Sequence, residues 1–251
     1  MHSGRWAFRS GETAGDGEVV VEAGDVISLP PRMFRGFENV GAETGFLFAV
    51  LGSDDPGRVL WAPYVFDAAA SYGLILMENG RLIDTRLGQT PPSELKRMRR
   101  TTAEEVAALD RYDSDQLRKC VRSDDSTLPA SHSVLAARGH GVRETTILGP
   151  ASDAEGLDSG WVARSHGFAL RELEFSRGSM VPPHIRIEEE VLLMRRGALS
   201  VGVGEDRVVI RTGDVMTVPV GTSRRFENAH DGDTTVHVVR RGDLPAAPTF
   251  V

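Results

Sequence analysis

Gly24-Asp25-Val26-Ile27-Ser28-Leu29-Pro30, followed by Arg35-Gly36-Phe37-Glu38-Asn39, returns later as Gly213-Asp214-Val215-Met216-Thr217-Val218-Pro219, followed by Arg224-Arg225-Phe226-Glu227-Asn228. The second copy lies 189 positions after the first, with no gap inside it. In both copies a Gly-Asp turn opens a short strand, a proline ends it, and a second strand follows, which reads as an antiparallel pair. A repeat this dense decides the architecture before any single residue is interpreted.

Upstream the copies agree more loosely. Gly4-Arg5-Trp6-Ala7-Phe8 parallels Gly197-Ala198-Leu199-Ser200-Val201, and each leads through a polar turn to Val19-Val20-Val21 or Val208-Val209-Ile210. Downstream, Gly45 to Val50 parallels Thr234 to Val239. Short strands about ten residues apart, with glycine-rich turns between them, indicate an all-β barrel or sandwich. The intervening sequence differs in kind. Trp61 to Leu76 has helical, alanine-rich character, and Glu78-Asn79-Gly80-Arg81 is a hairpin turn signal. Thr101 to Glu105 carries a capping-box start for a helix toward Leu109, and Ser114 opens another toward Val121. Three regions are expected: an incomplete barrel over 1–58, a partly helical insert over 59–145 packed outside the barrels, and a complete barrel over 146–251.

The segment before the second copy carries two spaced motifs. The first places Gly178, then His184-Ile185-Arg186, then Glu190, then Gly197; the second places Gly213, Pro219, Arg224 and Asn228. These frames resemble the cupin superfamily, in which a Gly-x5-His-x-His-x3,4-Glu-x6-Gly motif is followed by Gly-x5-Pro-x4-His-x3-Asn. The resemblance covers about residues 166–243 fully and 4–54 in part, and it implies two double-stranded β-helix (jelly-roll) barrels, a bicupin arrangement. In metal-binding cupins both histidines of the first motif, its Glu and the His of the second converge on one ion. Here His184 and Glu190 keep their places, but Arg186 and Arg224 stand where the other histidines would be, and Arg35 occupies the matching position of the first copy.

Strand alternation places these side chains without the family. Arg224, Phe226 and Asn228 share one face of their strand, and His184 and Arg186 likewise share a face, with Glu190 at the same parity if the strand is regular. The resemblance turns that face into the barrel. His184 and Glu190 are the candidate metal ligands, with His166 and His237 as further nitrogens on expected strands. Two ligands are few for a tight site. A guanidinium about 4 Å from a cation costs roughly 4 kcal/mol at an effective dielectric near 20, and a divalent ion about doubles that. A weakly bound divalent metal or no cofactor at all is the expectation.

A buried arginine needs a partner. One reading is an internal salt bridge from Arg186 or Arg224 to Glu190. The other is a bidentate clamp on the carboxylate or phosphate of a small ligand, and both readings can hold together. Arg186, Arg224, Phe226, Asn228 and Arg35 are therefore the candidate ligand-binding residues. His184, oriented by Glu190, is the candidate general base or acid. Two function classes remain open: an enzyme on a small acidic molecule, with metal-dependent dioxygenase chemistry as one alternative, and a non-catalytic binding or sensing module.

Composition excludes other classes. Among 251 residues the net charge is -7, and no basic stripe marks a nucleic-acid surface. No run of apolar residues is long enough to span a membrane, and the N-terminus lacks a signal-peptide core, so a cytoplasmic protein is expected. The single cysteine, Cys120, reads as an inert thiol on a helix face. Met1 aligns with Met194, inside a strand. An incomplete first barrel would leave an open edge, for which an upstream start or a second chain, giving a homodimer, is the expected remedy.

Overall fold

The computed structural model describes residues 1–52, 59–124 and 133–251. Residues 53–58, which end the expected first region, and 125–132, which include His132, lie outside the described residues.

The N-terminal unit consists of β1 (Trp6–Ser10), β2 (Gly17–Val21), β3 (Val26–Ile27) and β4 (Arg35–Asn39). The connecting segment holds α1 (Pro63–Ser71), the hairpin β5 (Leu74–Leu76) and β6 (Leu82–Asp84), α2 (Ala103–Ala107), α3 (Ser114–Arg118) and β7 (Val121–Arg122). Then α4 (Val134–Arg138) leads into β8 (His140–Leu148) and β9 (Phe168–Ile185). The remaining strands are β10 (Glu190–Arg196), β11 (Ala198–Val203), β12 (Asp206–Arg211), β13 (Val215–Val218), β14 (Arg224–Asn228), β15 (Thr234–Arg241) and β16 (Thr249–Phe250). The fold is all-β, as the sequence indicates. No helix among the described residues is long and apolar enough to cross a membrane.

The C-terminal strands form one nine-stranded sheet in the order β12-β11-β14-β9-β15-β10-β13, with β8 and β16 also paired to β9. Because β8 starts at His140, the barrel sheet begins ahead of the boundary at 146 read from the sequence. Alternation fixes its interior. Leu173 and Phe175 of β9, Leu192 and Met194 of β10, Phe226 of β14, and Val236 and Val238 of β15 meet in one buried apolar cluster.

The N-terminal unit repeats part of this plan. Its sheet order is β2-β1-β4, matching β12-β11-β14. Phe8 pairs with Val19 and with Phe37, just as Val201 pairs with Val208 and with Phe226. The likeness ends at β4. In the C-terminal sheet β14 pairs onward with β9, whereas β4 has no further partner among the described residues. Phe37 is 59% exposed, while Phe226 at the repeated position is fully buried. The expected strand over 45–50 reduces to a single bridge between Ser3 and Phe46, with no longer strand beside it among the described residues.

The connecting segment supplies replacements. The antiparallel pair expected within each copy does not form, because the proline-ended first strand leads to a neighbour in another part of the sheet: β3 pairs with β7 and β4 with β1, while their counterparts β13 and β14 pair with β10 and with β11 and β9. Leu117 of α3 packs in a buried cluster with Phe8, Val19 and Val21. The insert thus fills the N-terminal sheet's inner face as well as joining the two units. The helix expected to run to Leu76 stops at Ser71, because Gly73 takes φ +73° and turns the chain into the β5–β6 hairpin. The capping box of α2 is present, with Thr102 and Glu105 as its partners. Cys120 lies just past α3, half-buried, with Sγ near the Gln116 carbonyl at 3.5 Å, and burial pushes its thiol pKa up.

Candidate functional site

In the C-terminal barrel His184, Arg186, Glu190, Arg224 and Phe226 are all buried, as their strand parity predicts for the inner face. Arg186 and Arg224 meet carboxylates there. Arg224 Nη1 donates to Glu190 Oε2 at 2.8 Å, and its remaining nitrogens donate to the carbonyls of Pro219 and Thr222. Arg186 Nη1 donates to Glu155 Oε1 at 3.1 Å and to the Ala246 carbonyl at 2.8 Å, and Arg186 Nε lies 3.2 Å from Glu190 Oε1.

Four residues that the motifs do not mark complete this network. Arg240 of β15 donates through Nε to Glu190 Oε1 at 2.8 Å. Its Nη1 donates to Glu144 Oε1 at 2.7 Å and to Glu155 Oε1 at 2.8 Å. Arg171 of β9 donates to Glu155 Oε2 at 3.0 Å. Arg171 shares its inward parity with Leu173 and Phe175, and Arg240 shares its own with Val236 and Val238, so a polar residue interrupting an apolar register was the available signal. Glu155 comes from the loop between β8 and β9, where no periodicity could mark it. It is pinned there by Ser152, whose Oγ accepts from the Glu155 backbone N–H at 3.3 Å.

Four guanidinium groups therefore share three carboxylates. Burial alone would raise the Glu190 pKa, but Arg240, Arg186 and Arg224 outweigh it and hold the carboxyl at about 2. Glu144 is likewise held below the usual carboxylate range, by Arg240 and Arg186 against burial. Burial pushes the Arg171 and Arg186 pKa values down, while for Arg240 the three carboxylates outweigh burial and push it up. Five buried guanidinium nitrogens of this network find no well-aligned acceptor, Arg171 Nε and Nη1, Arg186 Nε and Nη2 and Arg240 Nη2, while one of its acceptors, Glu144 Oε2, finds no well-aligned donor.

His184 is not oriented by Glu190. Its Nδ1 lies 3.0 Å from the Pro182 carbonyl, which can only accept, so Nδ1 carries the proton and Nε2 is left with a free lone pair. Burial lowers its pKa to about 4, against the opposing pull of the Pro182 carbonyl and Glu190. The ring packs edge-on to Phe226 at 5.4 Å and against Phe250 at 5.9 Å. Phe250 belongs to the C-terminal segment, which pairs β16 with β9 and closes this end of the barrel.

Two candidate ligand-binding residues lie elsewhere. Asn228 sits at the end of β14, where its Nδ2 donates to the Phe175, Ser176 and Gly232 carbonyls and its Oδ1 accepts from Thr234 Oγ1. It ties a turn together rather than facing a ligand. Arg35 belongs to the N-terminal sheet and lines a cleft outside the C-terminal barrel. His166 and His237 line that same cleft, so neither reaches His184; His166 lies before β9 starts, and His237 pairs with Glu172 on the outer face of β15 at 3.1 Å.

A divalent metal does not fit His184 and Glu190. Both Glu190 oxygens are held by guanidinium groups, and those groups would repel a cation at the only remaining ligand, His184 Nε2. Among the described residues no three His, Cys, Asp or Glu side chains converge as a metal cluster.

Residues 171–240, within the C-terminal barrel, match the cupin domain family, Cupin_2. No curated protein matches the chain. Solved structures similar to it include a cupin-2 domain protein of Rhodospirillum rubrum, 14% identical over 52% of this chain and 78% of that one, with a TM-score of 0.41. The polyketide cyclase RemF of Streptomyces resistomycificus is 16% identical over 52% of this chain and 84% of that one, with a TM-score of 0.41. An oxalate oxidase in complex with the substrate analogue glycolate is 19% identical over 52% of this chain and 62% of that one, with a TM-score of 0.38.

Proposed function

We propose that the protein is a bicupin that binds a small carboxylate-bearing anion inside its C-terminal barrel. The observation that carries this reading is the surplus of buried guanidinium over carboxylate. Arg171, Arg186, Arg224 and Arg240 face only Glu144, Glu155 and Glu190, and five guanidinium N–H positions, counting both hydrogens of each Nη once, lack a well-aligned acceptor. A buried, uncompensated charge costs several kcal/mol, and orphaned donors add to that cost. One ligand carboxylate would bring both the missing charge and the missing acceptors, in the bidentate geometry that arginine favours.

His184 refines the ligand. With Nδ1 committed to Pro182, Nε2 is an acceptor at neutral pH, suited to a hydroxyl or another donor next to the carboxylate. A hydroxy acid satisfies both groups, and a base at that nitrogen is the route by which binding would become catalysis. The proposal includes a homodimer, with the open edge of β4 as the surface left for a second copy; its test is the mass in solution, two chains expected and one chain overturning it.

The binding reading is tested by thermal shift and calorimetry with glycerate, malonate and their neutral amides. Stabilisation by the acids, absent with the amides and lost in Arg186→Ala, is expected. No stabilisation by any small acid would leave the cluster as a structural ion-pair network.

A further inference from the structure

Arg35 repeats Arg224 but has lost its carboxylate. Arg224 donates to the Pro219 carbonyl and to Glu190; Arg35 keeps the first contact, to the Pro30 carbonyl at 3.4 Å, and has no ion pair among the described residues. The reason is topological. Glu190 stands on β10, which pairs with β13, whereas the matching β3 pairs with β7, and β7 offers Val121 and Arg122 in its place. The repeated phenylalanine tells the same story, since Val181 of β9 lies opposite Phe226, whereas Phe37 touches the Trp6 and Phe8 rings but has no such cross-strand partner beyond β4 among the described residues.

The space so opened is a cleft of about 530 Å³ between the N-terminal sheet and the outer face of the cupin barrel. That volume lies within the range of small-molecule sites. Its body is apolar, with Phe8 and Phe37 on one side and Leu148, Phe168, Leu170 and Leu193 on the other. Its polar groups are Arg35, Arg164, Ser28, Ser165 and His166, together with Arg195 and with His237, which is paired with Glu172. Arg164 Nη2 donates to Ser28 Oγ at 2.7 Å, and His166 Nε2 lies 2.6 Å from the same oxygen. Arg164, too, has no ion pair among the described residues. Of the remaining charged groups, Arg195 is engaged with Asp124 at 3.1 Å, and Asp243, beside the cleft, accepts from the His166 backbone N–H.

We propose that this cleft is a second ligand site, taking a monocarboxylate with an apolar, aromatic or alkyl body. The carboxylate takes the place that Glu190 holds beside Arg224, bridging to Arg35 and Arg164, and the body lies between Phe37 and the wall formed by Phe168 and Leu170. This site rests on residues separate from those of the barrel interior, and either can fail without the other.

The probe is 1-naphthoate, titrated calorimetrically into the full chain, with 1-naphthamide as the uncharged control. Naphthoate binds, and the amide binds about tenfold or more weakly, the loss expected when a charge-assisted contact is removed. Arg35→Gln and Arg164→Gln each weaken naphthoate to a similar degree and leave the amide unchanged. Both arginines are exposed, so these variants fold, and circular dichroism checks that they do. Phe37→Ala weakens acid and amide alike. Arg186→Ala leaves naphthoate binding intact, which separates this site from the barrel interior. Absence of naphthoate binding, equal binding of the amide, or indifference to both arginine substitutions overturns the proposal.

Discussion

Arg224 and Glu190, 34 residues apart in sequence, meet at 2.8 Å with both side chains sealed from solvent. They occupy two of the spaced motif positions and meet there as an ion pair. The second motif's histidine position carries a cation, and the first motif's glutamate answers it. The glutamate also answers Arg186 and Arg240, so three positive groups depend on one carboxylate.

Removing that carboxylate is therefore expected to cost more than any one pair. Glu190→Gln leaves three buried guanidinium groups short of counter-charge, and a loss of about 3–5 kcal/mol in urea unfolding is expected. The double variant Glu190→Leu, Arg224→Leu removes one cation with the anion and is expected to lose less than Glu190→Gln alone. A single-variant loss below about 1 kcal/mol would mean that the network carries little of the fold's stability.

Acid should destabilise the protein in two windows. His184 is held at about 4, below its unfolded value of 6.5, so the unfolded chain takes up that proton first. Stability then falls as pH drops from about 6.5 toward 4, by up to about 3 kcal/mol for this one group. His166 and His237 are also lowered by burial and steepen the same window. Glu190, held at about 2, contributes stability that is complete above the ordinary carboxylate range and is lost between about 4.5 and 2. Urea midpoints measured from pH 7 to pH 4 check the first window. In His184→Phe the slope is expected to flatten without vanishing, and an unchanged slope would remove His184 as its source.

Purified without chelator, the protein is expected to hold well under one transition metal per chain. The three guanidinium groups around Glu190 are the reason, since a divalent ion at His184 would face them directly. Elemental analysis giving one iron, manganese, nickel or zinc per chain, removed by His184→Ala, would overturn this.

Much of the C-terminal site was legible in the sequence, because motif spacing and strand parity are periodic signals. They carried His184, Arg186, Glu190, Arg224 and Phe226 to one buried face. Asn228 shares that parity but stands at the strand's end, where alternation stops predicting direction and a turn claims the side chain. Arg171 and Arg240 were readable only as interruptions in apolar registers. Glu155 was unreadable, since its position depends on a loop folding back across the barrel end. In the N-terminal unit the repeat carried the strand positions, but the antiparallel pair expected within each copy does not form, and the repeat could not say what β3 pairs with instead. That depends on α3 and β7, whose sequences resemble nothing in the second copy.

The replacement itself is testable at Leu117. The side chain is fully buried against Phe8, Val19, Val21 and Met33, and α3 has only five residues, too few for a stable isolated helix. The helix therefore exists because Leu117 is docked, and the inner face of the N-terminal sheet stays dry for the same reason. Leu117→Ala removes that anchor and leaves a cavity, at an expected cost of about 2–5 kcal/mol. The C-terminal barrel has its own apolar cluster, with no residue in common with this one. Hydrogen exchange should show the loss confined to β1, β2 and α3, with β9, β10 and β15 still protected. Equal loss of protection in both units would mean that they unfold together, and that the insert stabilises the whole chain rather than the N-terminal sheet it covers.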